Sequence, residues 1–253
     1  VALEVVSSRS LEVIRRFDLS ALEDPSGSWC LPGDLDLDGS RDLIIWGHAP
    51  QASDSGLNAC SGTTQRLIPG WQERMRAHRR LSFVPAGDLD GDGVGDLFMS
   101  SGETLPSRKV VKTLIAVSGR SGEILARHVR TLPDTNETSL IPLPDLDGDG
   151  RGELLLTNHG AEIWSDETAA VSVHSGADLS VLHLLEKHMG HFFVFDHFGF
   201  DACSLSDVNG DGVSDVAVSA MNPYGNGQGA VEIYSGKDGQ SLHIITKTSL
   251  RAQ

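Results

Sequence analysis

The sequence predicts an all-β chain assembled from repeated four-stranded antiparallel sheets. Three observations predict it. An acidic nonapeptide recurs four times at near-constant spacing. A Ser-Gly turn set between apolar runs recurs in step with it. No stretch carries the sustained 3.6-residue apolar period of an amphipathic helix.

The acidic segment reads Asp34-Leu-Asp36-Leu-Asp38-Gly39-Ser40-Arg-Asp42 in its first copy. The second holds Asp88, Asp90, Asp92, Val94 and Asp96, the third Asp145, Asp147, Asp149, Arg151 and Glu153, and the fourth Asp207, Asn209, Asp211, Val213 and Asp215. Their first residues lie 54, 57 and 62 positions apart. The second signal places serines at Ser7, Ser61, Ser118, Ser175 and Ser235, spaced 54, 57, 57 and 60. Two independent patterns with one period imply one structural unit repeated.

Each unit has a simple order. A short apolar strand, such as Leu81–Val84, runs into the acidic loop. A second strand leaves it, at Leu43–Trp46, Leu97–Ser100, Leu154–Thr157 and Val216–Ser219. A variable connection follows. The Ser-Gly hairpin then joins strands three and four, its glycine expected to supply the positive φ of a tight turn. Four short strands per unit is the order of a β-propeller blade. The blades are placed at about 1–20 (a half blade), 21–76, 77–132, 133–189 and 190–253, within one partial propeller. Four loops against five hairpins leave the first hairpin without inner strands, so the remaining blades are expected elsewhere in a parent chain. Trp71–Arg80 has room for a helical turn or two but reads as a polar connection between strands.

The loop spaces oxygen ligands at positions 1, 3, 5 and 9, with glycine at position 6. Hard oxygen donors in this number suit calcium. Position 7 is expected to donate its backbone carbonyl, which leaves its side chain free to be Ser40, Val94, Arg151 or Val213. An EF-hand needs a bidentate glutamate at position 12. Here that position is Ile45, Met99, Leu156 or Val218. Up to four calcium ions are therefore expected, the fourth site being weaker because Asn209 removes one charge.

Charge agrees with this. The first three loops hold four acids each and the fourth holds three, 15 of the 35 in the chain. The other 20 acids match the 20 lysines and arginines, so the loops equal the whole net charge of −15. Without a cation such clusters oppose their own ionisation. The same balance argues against nucleic acid as a partner. The apolar runs are too short for a membrane span. Three cysteines without a C-x-x-C pair support neither a disulfide framework nor zinc.

These residues resemble the FG-GAP repeat of integrin alpha-chain heads and their bacterial relatives. Phe198-Gly199-Phe200 stands for the "FG", Asp207–Asp215 for the calcium loop, and Ser219-Ala220-Met221 where "GAP" falls. The other copies keep the loop and lose both words. The Ser-Gly-Lys-Asp-Gly form at 235–239 looks more like bacterial secreted versions than animal integrins. The resemblance implies a seven-bladed ring with structural calcium between the first two strands of a blade, and partners on the opposite face.

No nucleophile elbow, phosphate loop or HExxH pair is present. Two features remain open. His183, His188, His191 and His197 cluster near Glu186 and Asp196, and Arg74, Arg76, Arg79 and Arg80 form a basic run. Asn136-Glu137-Thr138 fits a glycosylation sequon. Cys30 and Cys203 each lie four residues before a loop and are expected as buried thiols. The reading is a calcium-stabilised recognition or adhesion module, extracellular or at the cell surface, binding a protein or glycan without catalysis. The alternative is a propeller-type carbohydrate-active lyase or hydrolase, or the propeller part of one; a purely architectural spacer is the third.

Overall fold

A computed structural model describes residues 2–20, 22, 28–47, 56–75, 82–104, 110–132, 139–157, 171–186, 198–221 and 228–246. β1 (Ala2–Val6) and β2 (Val13–Asp18) form a two-stranded sheet. β3 (Trp29–Gly33), β4 (Asp42–Gly47) and β5 (Gly56–Cys60) form a three-stranded one, followed by helix α1 (Trp71–Arg74). Three four-stranded sheets come next, each in chain order. They are β6 (Ser82–Gly87), β7 (Asp96–Thr104), β8 (Val110–Val117) and β9 (Ile124–Leu132); β10 (Leu140–Pro142), β11 (Leu154–Thr157), β12 (Val171–His174) and β13 (Val181–Leu185); and β14 (Ala202–Ser204), β15 (Val216–Ala220), β16 (Ala230–Tyr234) and β17 (Ser241–Thr246). The pairings given for neighbouring strands are antiparallel. The chain is all-β in the manner of propeller blades.

Contacts divide the chain into two compact units, Val1–Ser101 with Ala116–Leu125, and Gly102–Ile115 with Ala126–Gln253. In the first, Phe17 and Leu19 of the half blade pack with Leu43, Ile45 and Cys60 of the next sheet. In the second, Leu155, Val171 and Val173 pack with Phe198, Val218 and Tyr234. The second strands, β4, β11 and β15, are apolar runs buried along nearly their whole length. Strands covered on both faces read as continuous apolar runs rather than alternating ones. The position-12 residues Ile45, Met99, Leu156 and Val218 all lie buried in these second strands, which closes the EF-hand route.

The five hairpins are one turn repeated. In each, the serine N–H donates to the carbonyl five residues on, and the N–H four residues on donates back to the serine carbonyl, all at 2.9 Å. That fourth residue carries the positive φ: Leu11, Gln65, Gly122, Leu179 and Gly239, between 59 and 77°. This corrects the expectation for the Ser-Gly glycine, whose φ is ordinary. Its reason is close approach. A Cβ on Gly62 would lie 2.1 Å from the Arg41 carbonyl oxygen, on Gly119 2.0 Å from that of Gly95, and on Gly236 1.9 Å from that of Ser214. Each contact is with the eighth residue of the blade's own acidic loop. The first hairpin has no such loop and carries Ser8 at this point.

Two further expectations change. Among the described residues the first full blade shows three strands and a bridge between Cys60 and Leu67 in place of a fourth. Pro69 lacks an N–H to continue a ladder, and Gly70 takes φ 72° into α1. Trp71–Arg74 is therefore a single helical turn, the conformation set second to a polar connection for this stretch. Trp71 is fully buried and its Nε1 donates to the Gly119 carbonyl at 3.0 Å. Cys30 is buried as expected, but Cys203 is exposed. β3 lies beside β4 and β6, and β14 beside β15 and β10.

Replacing Gly119 by alanine should lower stability by about 1–3 kcal/mol, because the methyl group meets backbone rather than a yielding side chain. Ser8→Gly, at the matching turn without a loop, should stay within about 0.5 kcal/mol. Denaturant midpoints of the two variants compare them; equal effects would contradict the close-approach explanation.

Candidate metal centre

The acidic loops are wound by their own carboxylates. The first acid accepts N–H bonds from later loop residues: Asp34 from Asp38 and Gly39, Asp88 from Gly91, Asp92 and Gly93, Asp145 from Gly148 and Gly150, Asp207 from Gly210, Asp211 and Gly212. The fifth residue caps the seventh: Asp38, Asp92, Asp149 and Asp211 accept from Ser40, Val94, Arg151 and Val213 at 2.7–2.9 Å. Such side-chain-to-backbone bonds are what aspartate offers in tight turns. The sixth residue is a glycine with φ of 82–89° in every copy. The fourth residue is also left-handed. It is Gly91, Gly148 or Gly210 in three loops and Leu37, at φ 60°, in the first. That requirement was not drawn from the sequence, although glycine at position 4 in three copies carried it.

The ninth residue is fully buried in all four loops: Asp42, Asp96, Glu153 and Asp215. One of its oxygens accepts the N–H of the loop's second residue, Leu35, Leu89, Leu146 or Val208, at 2.6–2.7 Å. In three loops the other oxygen accepts the N–H of the hairpin glycine, Gly62, Gly119 or Gly236, at 2.7–3.2 Å. The carboxylate thus joins the loop to the hairpin of its own blade. The apolar second residue turns the other way. Leu35 and Leu146 reach the neighbourhood of Gly119 and Gly236, the hairpin glycines of the following loop-bearing blades. Val208 has no such neighbour among the described residues and is 45% exposed.

The acids converge. Ligand oxygens of Asp34, Asp36 and Asp42 lie within 4.8 Å of one another, as do those of Asp88, Asp90 and Asp96, and those of Asp145, Asp147, Asp149 and Glu153. Asp38 and Asp92 stand outside these groups. Asp38 Oδ2 accepts from Ser61 Oγ at 3.2 Å, and Asp92 Oδ2 pairs with Arg120 at 3.3 Å. In the fourth loop Asn209 Nδ2 donates to Asp211 Oδ2 at 2.9 Å. The seventh side chains point to different surroundings, Val94 buried and Ser40, Arg151 and Val213 half-buried, as a position used through its backbone permits.

Electrostatics follow from burial. Desolvation, with the neighbouring acids, raises Asp42, lifts Asp96 from its ordinary 3.8 to about 6, and lifts Glu153 from 4.5 to about 8. Three acids nearer the surface move down. A Thr63 hydroxyl lowers Asp38, the Gly212 N–H lowers Asp207 and the Asn209 side chain lowers Asp211. A cation set among these oxygens would remove the repulsion, and an all-oxygen donor set suits calcium or magnesium rather than a soft metal.

Histidines and cysteines form no second centre among the described residues. His183 Nε2 contacts the Gly236 carbonyl at 3.1 Å, and Gly239 packs beside its ring. His174 is buried, with Nε2 on Ser172 Oγ at 2.9 Å and Nδ1 on the Leu179 carbonyl at 3.0 Å. His188, His191, His197 and Asp196 lie outside the described residues, as do Arg76, Arg79, Arg80 and Asn136. Burial lifts the Cys30 and Cys60 thiols to about 12 and about 11, which makes them inert.

The FG-GAP repeat model matches residues 198–234. Integrin alpha-PS2 of Drosophila melanogaster is 30% identical over 171 residues, 59% of this chain and 11% of that protein. The solved structure of rhamnogalacturonan lyase YesW covers 83% of this chain and 51% of its own, at 12% identity and a TM-score of 0.42. The chain thus spans about a tenth of the integrin and about half of the lyase chain. Its sequence is FG-GAP-like and integrin alpha-like, as the residue-level resemblance implied. No helix among the described residues is long and apolar enough to cross a membrane.

A carboxyl whose folded-state pKa exceeds its unfolded value favours the fold only while protonated. Its contribution is whole below the unfolded pKa and is lost as pH rises through the folded one. For Asp96 and Glu153 that window runs from about 4 to about 8. In chelator, the melting temperature should therefore fall across this range, and Glu153→Gln should flatten its upper part. A chelated protein equally stable at pH 5 and pH 8 would contradict the desolvation account.

Proposed function

We propose that the chain is a calcium-stabilised recognition module that binds an extracellular protein or a glycan. The observation that carries this is the convergence of buried and exposed carboxylates at the junction of loop and hairpin, repeated in register. Asp34, Asp36, Asp38 and Asp42 with the Ser40 carbonyl would hold one ion. Asp88, Asp90, Asp92 and Asp96 with the Val94 carbonyl, and Asp145, Asp147, Asp149 and Glu153 with the Arg151 carbonyl, would hold two more. Asp207, Asn209, Asp211 and Asp215 with the Val213 carbonyl make the fourth set. In this reading the ion's role is structural: it fixes the second strand's entry and the hairpin that rests on it.

Similarity to an integrin alpha chain supports an extracellular protein partner and a place outside the cell or on its surface. The loop acids are committed to winding their own turns, His174 is engaged by the Ser172 hydroxyl and the Leu179 carbonyl, and His183 by the Gly236 carbonyl. Recognition is therefore assigned to the connections between strands, which vary from blade to blade while the loops repeat. The blades are read as part of a larger propeller.

A panel of immobilised matrix proteins and polysaccharides tests the function. Saturable binding to one class in calcium, weakened at least tenfold in chelator, is the expected result. Turnover of a polysaccharide by the wild-type chain, abolished by His183→Ala without loss of melting temperature, would replace this reading with the carbohydrate-active one.

A further inference from the structure

The sheet of β6 to β9 has longer strands than its two successors. β7 has nine residues where β11 and β15 have four and five. β8 has eight where β12 and β16 have four and five, and β9 has nine where β13 and β17 have five and six. The extra length lies at one end. β7 starts at Asp96, the ninth residue of its loop, and β8 ends at Val117, just before the hairpin serine. β9 starts six residues after that serine, as β13 and β17 do after theirs. All three strands therefore overrun on the side away from loop and hairpin.

β9 closes its sheet, hydrogen-bonded to β8 on one side and to no described strand on the other. A free edge of this kind presents a row of backbone N–H and C=O groups, which proteins blunt with short strands, proline or charge. β9 is neither short nor interrupted by proline, and its charges have one sign. β8 and β9 hold no acid, yet carry Lys112, Arg127 and Arg130 in a chain of net charge −15. The arginines of the outer strand β2 are engaged: Arg16 pairs with Glu4 at 3.7 Å, and Arg15 donates to the Arg41 carbonyl at 3.2 Å. Arg127 is exposed and has no acid partner among the described residues. Lys112 is half-buried with its Nζ beside Gly102 of β7, and it too has no acid partner among the described residues. Val129, between the two arginines, is 51% exposed.

We infer that the outer edge of β9, over Ala126–Leu132, docks an extended acidic segment of a partner protein, which adds to the sheet as a further strand. This rests on the recognition reading and deepens it, adding an edge to the connections and choosing protein over glycan. A peptide backbone matches the alternating donors and acceptors of a strand edge, and a sugar chain does not. Acids on the added strand meet Arg127 and Arg130 as cross-strand neighbours of opposite charge. A second copy of β9 fits poorly, because antiparallel self-pairing about its middle sets the arginines of the two copies side by side.

Fluorescence anisotropy of labelled heptapeptides, titrated with the whole chain in calcium, tests it. The probe alternates glutamate with valine, and its control has lysine for glutamate. The glutamate peptide should bind saturably and the lysine peptide should not. Arg127→Glu, at an exposed position, should weaken binding about tenfold with an unchanged melting temperature. Methylating the peptide's amide nitrogens at one alternate set of residues should abolish binding, and at the other set leave it nearly intact, since an added strand turns only every second N–H to the edge. No binding of the glutamate peptide, equal binding of the lysine peptide, or indifference to which amides are methylated would overturn the inference. A wild-type dimer dispersed by Val129→Lys would overturn it too, by giving the edge to a second copy. If the peptides fail while the matrix panel still shows saturable binding in calcium, the edge falls and the recognition reading stands; failure of both overturns both.

Discussion

A buried carboxylate at the ninth position of each acidic loop is the constraint on which the rest depends. It is withdrawn from water completely, yet in the first three loops it sits beside two or three other acids. Such a group must be met by donors or by a cation. In three blades it meets the second residue of its loop and the glycine of its hairpin. One side chain thereby fixes the loop's closure, the start of the second strand and the seat of the hairpin. The hairpin can approach so closely only because Gly62, Gly119 and Gly236 carry no Cβ. The Ser-Gly word and the acidic word share a period because they are two halves of one contact.

Much of this was legible because it repeats. Second strands were placed within a residue or two at their starts, Leu154–Thr157 at both ends. A pattern seen four times averages out local exceptions. The glycine's role was misread because a turn glycine ordinarily supplies positive φ, and only the fold shows that the turn's left-handed residue lies three places later. Among the described residues the first full blade lacks a fourth strand because Pro69 and Gly70 interrupt it, a local signal that the repeat pattern does not carry. Trp71 looked polar by company, surrounded by arginine and glutamate, but its indole finds a pocket and a carbonyl acceptor in a hairpin 48 residues away. Cys203 is exposed where Cys30 is buried, because equivalence in sequence does not guarantee an equivalent neighbour.

The separation between repeated and variable parts has a functional consequence. Position 7 accepts serine, valine or arginine, and the hairpin's left-handed position accepts leucine, glutamine or glycine. The acids at positions 1, 5 and 9 vary hardly at all among the four copies. Chemistry at the loops is therefore uniform and suited to holding the blade, while differences between blades lie in the connections.

The central claim, that cations complete these loops, is tested most directly by thermal melting in calcium, in magnesium and in chelator. A site held at a hundred times its Kd adds about 2.7 kcal/mol to stability. The account predicts a large upward shift with calcium, a smaller one with magnesium, which demands a more rigid octahedral shell, and the lowest midpoint in chelator. Coincident midpoints in calcium and chelator would contradict it and would make the loops acidic turns held by hydrogen bonds alone.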